Sequence, residues 1–173
     1  MTSIDGVYTV THTEIQLSAT KNDVPEPARI EIIGLLNLRL AASIDMMLQC
    51  KQAHWNVKGP AFIALHKLFD DIADDVSEYS DVIAERIAQL GGVAEGTAGT
   101  VVERSTLIDY PLILTTGAEH VAALSDALSQ FGRAVRIGIE EMNELEDAVS
   151  ADILTEVLRG VDKWLWFVEA HQR

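Results

Sequence analysis

His54-Trp55-Asn56-Val57-Lys58-Gly59-Pro60, followed by Phe62 and then Leu65-His66, is the stretch that decides the fold. Glycine takes the left-handed conformation that ends a helix, and proline has the fixed φ that suits the first turn of the next. Before this break, Ile33, Leu36, Leu40, Ile44, Met47 and Leu48 recur mostly at three- and four-residue steps. After it the same spacing runs through Leu65, Phe69, Ile72, Val76, Tyr79, Ile83, Ile87 and Leu90. The pattern predicts two long amphipathic helices, Ala28 to about Val57 and then on to Leu90, folded antiparallel by a short reversal.

Working outward, Gly91-Gly92 ends the second helix. From Gly91 to about Thr116 the chain is irregular, with Gly96, Gly99 and Pro111 breaking any long element; a short helix is expected at Thr106 to Leu114. Helical spacing resumes from Ala118 to Leu145 through Val121, Leu124, Leu128, Phe131, Val135, Ile139 and Met142. It appears again from Ala151 to about Ala170 through Leu154, Leu158, Val161, Leu165 and Val168. Residues 1–27 carry Pro25 and Pro27 and little helical periodicity, and read as an extended tail. The expectation is an all-α, ferritin-like four-helix bundle over residues 28–173, with one long crossover between its second and third helices.

Composition narrows the function. A chain of 173 residues is the size of one domain. No apolar run reaches the roughly 18 to 20 residues that a membrane span needs, so a soluble protein is expected. Met1 to Asp23 lacks a basic start followed by an apolar stretch, which gives a cytoplasmic expectation. Cys50 is the single cysteine, expected as a small buried hydrophobe, and no disulfide or cysteine-rich metal site is available. The net charge of −14 attracts cations and repels nucleic acid. The tail sets Asp5, Glu14, Asp23 and Glu26 against Lys21 alone, and the other end offers only Arg173. DNA binding is not expected unless a metal bridges the two polyanions.

Five residues agree in chemistry and spacing: His54, His66, Asp70, Asp81 and Glu85. His66 and Asp70 lie one helical turn apart, as do Asp81 and Glu85, so each pair projects from one face. Across an antiparallel reversal His54 comes level with His66, giving one half-site of His54, His66 and Asp70. Asp81 lies too far along the same helix to join it, about 22 Å at 1.5 Å per residue. A two-fold axis centred between Asp75 and Val76 solves this, because it sets His66 opposite the other chain's Glu85 and Asp70 opposite its Asp81. Each dimer then carries two composite sites. Imidazoles and carboxylates suit Fe(II), leave Zn(II) or Mn(II) open, and exclude sulfur-rich soft-metal sites. Glu85 is the carboxylate expected to bridge two metals.

The segment from His54 to Pro60 with Leu65-His66, the run Asp81-Val82-Ile83-Ala84-Glu85-Arg86-Ile87 and the terminal Asp162-Lys163-Trp164-Leu165-Trp166-Phe167 resemble the Dps family of mini-ferritins. That resemblance covers residue 28 to the end. It implies a hollow dodecamer with ferroxidase centres at two-fold interfaces, formed by His54, His66 and Asp70 of one subunit with Asp81 and Glu85 of the other. It also implies oxidation of Fe(II), by hydrogen peroxide in preference to oxygen, with storage of ferric mineral and protection against oxidative stress. Ordinary ferritins instead use Glu-x-x-His pairs within one bundle, and no Glu-x-x-His occurs here.

Secondary candidates follow. Asp71, Asp74, Asp75 and Glu78 either face a cavity and nucleate mineral or form a solvated stripe. Glu146, Asp147 and Asp152 match a corner that surrounds a three-fold pore in similar proteins. Trp55 either intercepts stray oxidising equivalents or packs. His12, His120 and His171 have no partner at ligand spacing. Two competing functions remain open, a DNA-binding nucleoid-protecting protein and a passive shell that sequesters metal.

Overall fold

The computed structural model describes residues 17–172. Residues 1–16 of the expected tail, with His12, lie outside the described residues, as does Arg173. The elements are α1 (Glu26–Asn56), α2 (Phe62–Gln89), α3 (Ala98–Arg104), α4 (Gly117–Glu144) and α5 (Ala148–Glu169). No strand occurs among the described residues, and one isolated bridge links Lys58 to Thr116. The hairpin of α1 and α2 packs on the hairpin of α4 and α5, with α1 against α4 and α2 against α5.

The apolar stripes read from the sequence form the core of α2, α4 and α5. Phe69, Ile72, Val76, Ile83 and Ile87 of α2 are fully buried, as are Leu124, Leu128, Phe131 and Val135 of α4 and Leu154 and Val161 of α5. Truncating Phe69 or Phe131 to alanine is expected to cost about 3–5 kcal/mol, because the site cannot collapse around the missing ring.

α1 departs from a single stripe. It touches α2, α3 and α4, so burial extends around most of its circumference. Ile32, Met46, Cys50 and Ala53 are completely buried, whereas Leu48, expected in the core, is 51% exposed. Three of the polar side chains buried on α1 are tied to main chain outside it. Arg29 donates to the carbonyls of Val24 and Leu90 at 3.1 and 3.0 Å. Asn37 donates to Val93 and accepts from the Glu95 amide, and Gln49 donates to the Ile108 carbonyl. The irregular crossover is thus fixed by side chains that satisfy its main-chain groups.

The short helix of the crossover is α3 at Ala98–Arg104, and not at Thr106 to Leu114 as expected. Between 106 and 110 the main chain is engaged by side chains: Gln130 accepts from the Ile108 amide and donates to the Thr106 carbonyl. Pro111 adds a steric bias against helical conformation at Tyr110.

Helix ends follow from local chemistry. Pro27 sits in the first turn of α1, where a missing amide proton costs nothing. Gly59 at the reversal has φ 110°. Thr116 and Glu119 form a reciprocal capping box at the start of α4. Asp147 caps α5, which therefore begins at Ala148, earlier than the expected Ala151. Gly91 has φ 86°, and a β-carbon there would lie 2.6 Å from the Ser18 carbonyl oxygen. The extended segment before α1 crosses at this point, its Ser18 amide donating to the Gly91 carbonyl at 2.7 Å.

Candidate metal centre

The reversal between α1 and α2 brings His54 and His66 together with their rings stacked, centroids 3.7 Å apart. Each ring is held by the other residue's backbone. His54 Nδ1 lies 2.7 Å from the His66 carbonyl oxygen, and His66 Nδ1 lies 2.9 Å from that of His54. A carbonyl can only accept, so both neutral rings carry their proton on Nδ1. The Nε2 lone pair of each is left free to bind a metal, in the manner of sites where an outer hydrogen bond fixes tautomer and ring orientation. The His54 carbonyl lies in the last turn of α1, where a helix runs out of its own donors, so the His66 ring serves as a cap as well.

Asp70 stands one turn after His66, with Oδ1 3.7 Å from His54 Nδ1. Its carboxylate is taken up by Lys51, which also approaches Asp74 at 3.8 Å. The hydrogen bond from the Lys51 ammonium, together with its charge, holds Asp70 below the usual carboxylate range. Lys51 was not picked out in the sequence, although its place one turn before His54 on α1 was a legible signal.

Asp81 and Glu85 lie on the exposed surface of α2, one turn apart. Because α2 is unbroken from Phe62 to Gln89, they stand about 22 and about 28 Å along the helix from His66. Among the described residues, no group of three or more histidine, cysteine, aspartate or glutamate side chains is positioned to hold a metal ion. One chain brings His54, His66 and Asp70 near one another and leaves Asp81 and Glu85 apart.

The secondary candidates separate. Asp71, Asp74 and Glu78 are exposed, but Asp75 is half-buried and engaged: it accepts from Trp164 Nε1 at 2.8 Å and lies 3.4 Å from Lys163 Nζ and 3.5 Å from Tyr79 Oη. Glu146 is exposed with φ 59°, a left-handed residue in the α4–α5 turn, and Asp152 is exposed. Asp147 is 3% exposed and binds Arg86 Nη2 at 2.9 and 3.0 Å while capping the Ser150 amide. Burial pushes its pKa up, but the bonds from Ser150 and Arg86 outweigh this and hold it below the usual range. Trp55 is 67% exposed, so the described residues cover only a third of it. Cys50 is fully buried, as expected. His171 donates to the Phe167 carbonyl, and His120 is buried against Tyr110.

Two long helical hairpins joined by a crossover, with candidate imidazole and carboxylate ligands on the first hairpin, define a ferritin-like protein. The ferritin-like domain family matches residues 33–173. The chain is 43% identical over 152 residues to the DNA protection during starvation protein of Agrobacterium fabrum, covering 88% of this chain and 94% of that one. It is 37% identical over 141 residues to the protein of the same name from Mycolicibacterium smegmatis, with coverage of 82% and 76%. The solved structure of DpsA14 from Streptomyces coelicolor superposes with a TM-score of 0.85 at 37% identity, over 91% of this chain and 94% of that chain. The chain belongs to the Dps family of ferritin-like proteins.

Proposed function

We propose that this protein is a ferroxidase and iron-storage mini-ferritin, acting at sites completed by two subunits. The observation that carries this reading is the pair of half-sites on one unbroken helix. His54, His66 and Asp70 gather at one end of α2 while Asp81 and Glu85 stand at the other, with their centre of symmetry between Asp75 and Val76. A two-fold partner joins the unlike halves.

Fe(II) is the substrate that this donor set suits, with Zn(II) and Mn(II) as further occupants. The fixed Nε2 atoms and Asp70 bind from one chain, and Asp81 and Glu85 bind from the other, Glu85 bridging. Two adjacent ferrous ions supply the two electrons that reduce hydrogen peroxide to water, consuming two protons and leaving two ferric ions for storage. Oxygen is the alternative oxidant.

Assembly is supported by exposed apolar side chains. Val102, Ile108, Leu112 and Ile113 of the crossover are between 62% and 88% exposed in the single chain, more than a free subunit carries without an interface to cover it. The dodecamer of the family is the assembly we propose, about twelve times the 18.9 kDa chain. The net charge of −14 favours guarding DNA by removing Fe(II) and peroxide over binding it. No described helix is long and apolar enough to cross a membrane, and the proposed compartment is the cytoplasm.

The test is near-ultraviolet absorbance after Fe(II) and peroxide are mixed with the iron-free protein, with light scattering on the same sample. Rapid ferric growth on a large oligomer supports the reading. A protein-free rate would leave a passive metal-binding shell, and a monomer with full activity would defeat the composite site.

A further inference from the structure

Tyr110 of the crossover and His120 of α4 form a hydrogen-bonded pair outside the candidate ligand set. The Tyr110 hydroxyl lies 2.5 Å from His120 Nδ1, and the rings are nearly parallel with centroids 6.1 Å apart. His120 is 1% exposed. Tyr110 is half-buried and packs on the core that contains Cys50, one turn before His54 on α1. Its place is fixed because Gln49 of α1 and Gln130 of α4 grip the crossover at Thr106 and Ile108.

We infer that Tyr110 and His120 are a proton-coupled electron donor that quenches one-electron oxidants arising inside the protein. Removing an electron from a buried phenol alone would leave an unsolvated cation, which a low-dielectric interior strongly disfavours. An existing short hydrogen bond to a neutral imidazole removes that obstacle, because the proton crosses to Nδ1 as the electron leaves. The protonation states suit this. Burial lowers the His120 pKa against the weaker opposing effects of the Asn56 carbonyl and Glu119, so the ring is neutral, with Nδ1 free to accept the phenol's proton. Burial, with Cys50 nearby, raises that of Tyr110 and keeps the phenol protonated.

For its oxidant the step rests on the function proposed above. When one Fe(II) meets peroxide singly, it becomes Fe(III) and yields hydroxide and a hydroxyl radical. Tyr110 gives that radical one electron, forming a second hydroxide, and its proton passes to His120, leaving a neutral phenoxyl beside an imidazolium. A second Fe(II) returns the electron, the proton returns from His120, and the pair is restored. The sum is two ferric ions and two hydroxides from two ferrous ions and one peroxide. Tyr79 lacks this arrangement, since its hydroxyl is 3.5 Å from a carboxylate already held by Trp164 and Lys163.

The experiment is freeze-quench electron paramagnetic resonance on the iron-free assembled protein mixed with Fe(II) and peroxide, with ferric absorbance followed in parallel. A tyrosyl signal is expected in wild type and Tyr79→Phe and is expected to be lost in Tyr110→Phe, with ferric growth unchanged. His120→Gln, which keeps an acceptor but no basic nitrogen, should lose most of the signal while keeping the same ferric rate. In wild type labelled with nitrogen-15 histidine, the radical should show coupling to an imidazole nitrogen, a readout independent of whether any variant folds. An undiminished signal in Tyr110→Phe, or none in wild type while ferric product forms, overturns the inference. If no ferric product forms, the ferroxidase reading fails instead, and a photogenerated ruthenium(III) oxidant then decides the pair by the same loss in Tyr110→Phe.

Discussion

His54 and His66 hold each other in place: each imidazole is bonded through Nδ1 to the other's main-chain carbonyl, at 2.7 and 2.9 Å. Removing either ring therefore takes away a proposed ligand and its stacking on the other imidazole, while the carbonyl that orients the second ring remains. His66→Ala is expected to abolish most rapid Fe(II) oxidation while the fold, read by circular dichroism, survives. Because His66→Ala keeps the carbonyl that fixes the His54 ring, zinc should still bind that variant in calorimetry, more weakly than wild type but more tightly than the variant lacking both imidazoles. Equal zinc affinity of the single and double variants would show that the carbonyl does not hold His54 ready for a metal.

The composite site predicts complementation. His66→Ala and Glu85→Ala should each be inactive alone. When the two are unfolded and reassembled together, mixed dimers place both lesions in one site and leave the other intact, so activity returns to roughly a quarter of wild type under random pairing. Well-assembled mixed shells with no recovery would place all ligands in one chain.

Lys51 competes with metal for Asp70. Replacing it by methionine frees the carboxylate and removes a positive charge from the site. Zinc should bind the iron-free protein about two- to fivefold more tightly, the effect of a half-exposed ion pair. Unchanged affinity by calorimetry would mean that Lys51 swings clear at no cost.

Arg86 and Asp147 tie α2 to the α4–α5 turn at 2.9 Å with both side chains nearly inaccessible. Breaking a buried pair leaves an unpaired charge, so Asp147→Ala should destabilise the subunit by about 3–5 kcal/mol in denaturant unfolding at neutral pH. The folded pKa of Asp147 lies below its unfolded value. Its contribution is therefore present above the unfolded pKa of about 3.9 and is lost as pH falls through the folded value. The gap between wild type and variant should narrow over that acid range, and a gap independent of pH would contradict the assignment.

An anionic shell should leave plasmid DNA unshifted in a low-salt gel without divalent ions. A salt-sensitive shift would show that cationic groups converge in the assembled protein despite the charge of −14.

The bundle was legible because its signals are local. Periodic apolar residues, the Gly59-Pro60 break and the Gly91-Gly92 stop each act within a few residues, and they placed four long helices with only small errors at the ends. The crossover was less legible. Its short helix lies at Ala98–Arg104, because distant glutamines claim the main chain of residues 106–108. Leu48 misled for a related reason: α1 has three neighbours, and its exposed side is chosen by where they sit.

By itself the sequence determined the helical register, and with it which candidate ligands share a face and how far apart they stand, since a helix fixes both at 3.6 residues per turn and 1.5 Å per residue. Only the tertiary structure decided what else each side chain touches. It gave Asp70 to Lys51, Asp75 to Trp164, Asp147 to Arg86 and Tyr110 to His120. These pairs join residues on different elements of the fold, and no periodicity reports which carboxylate or phenol a folded neighbour will reach.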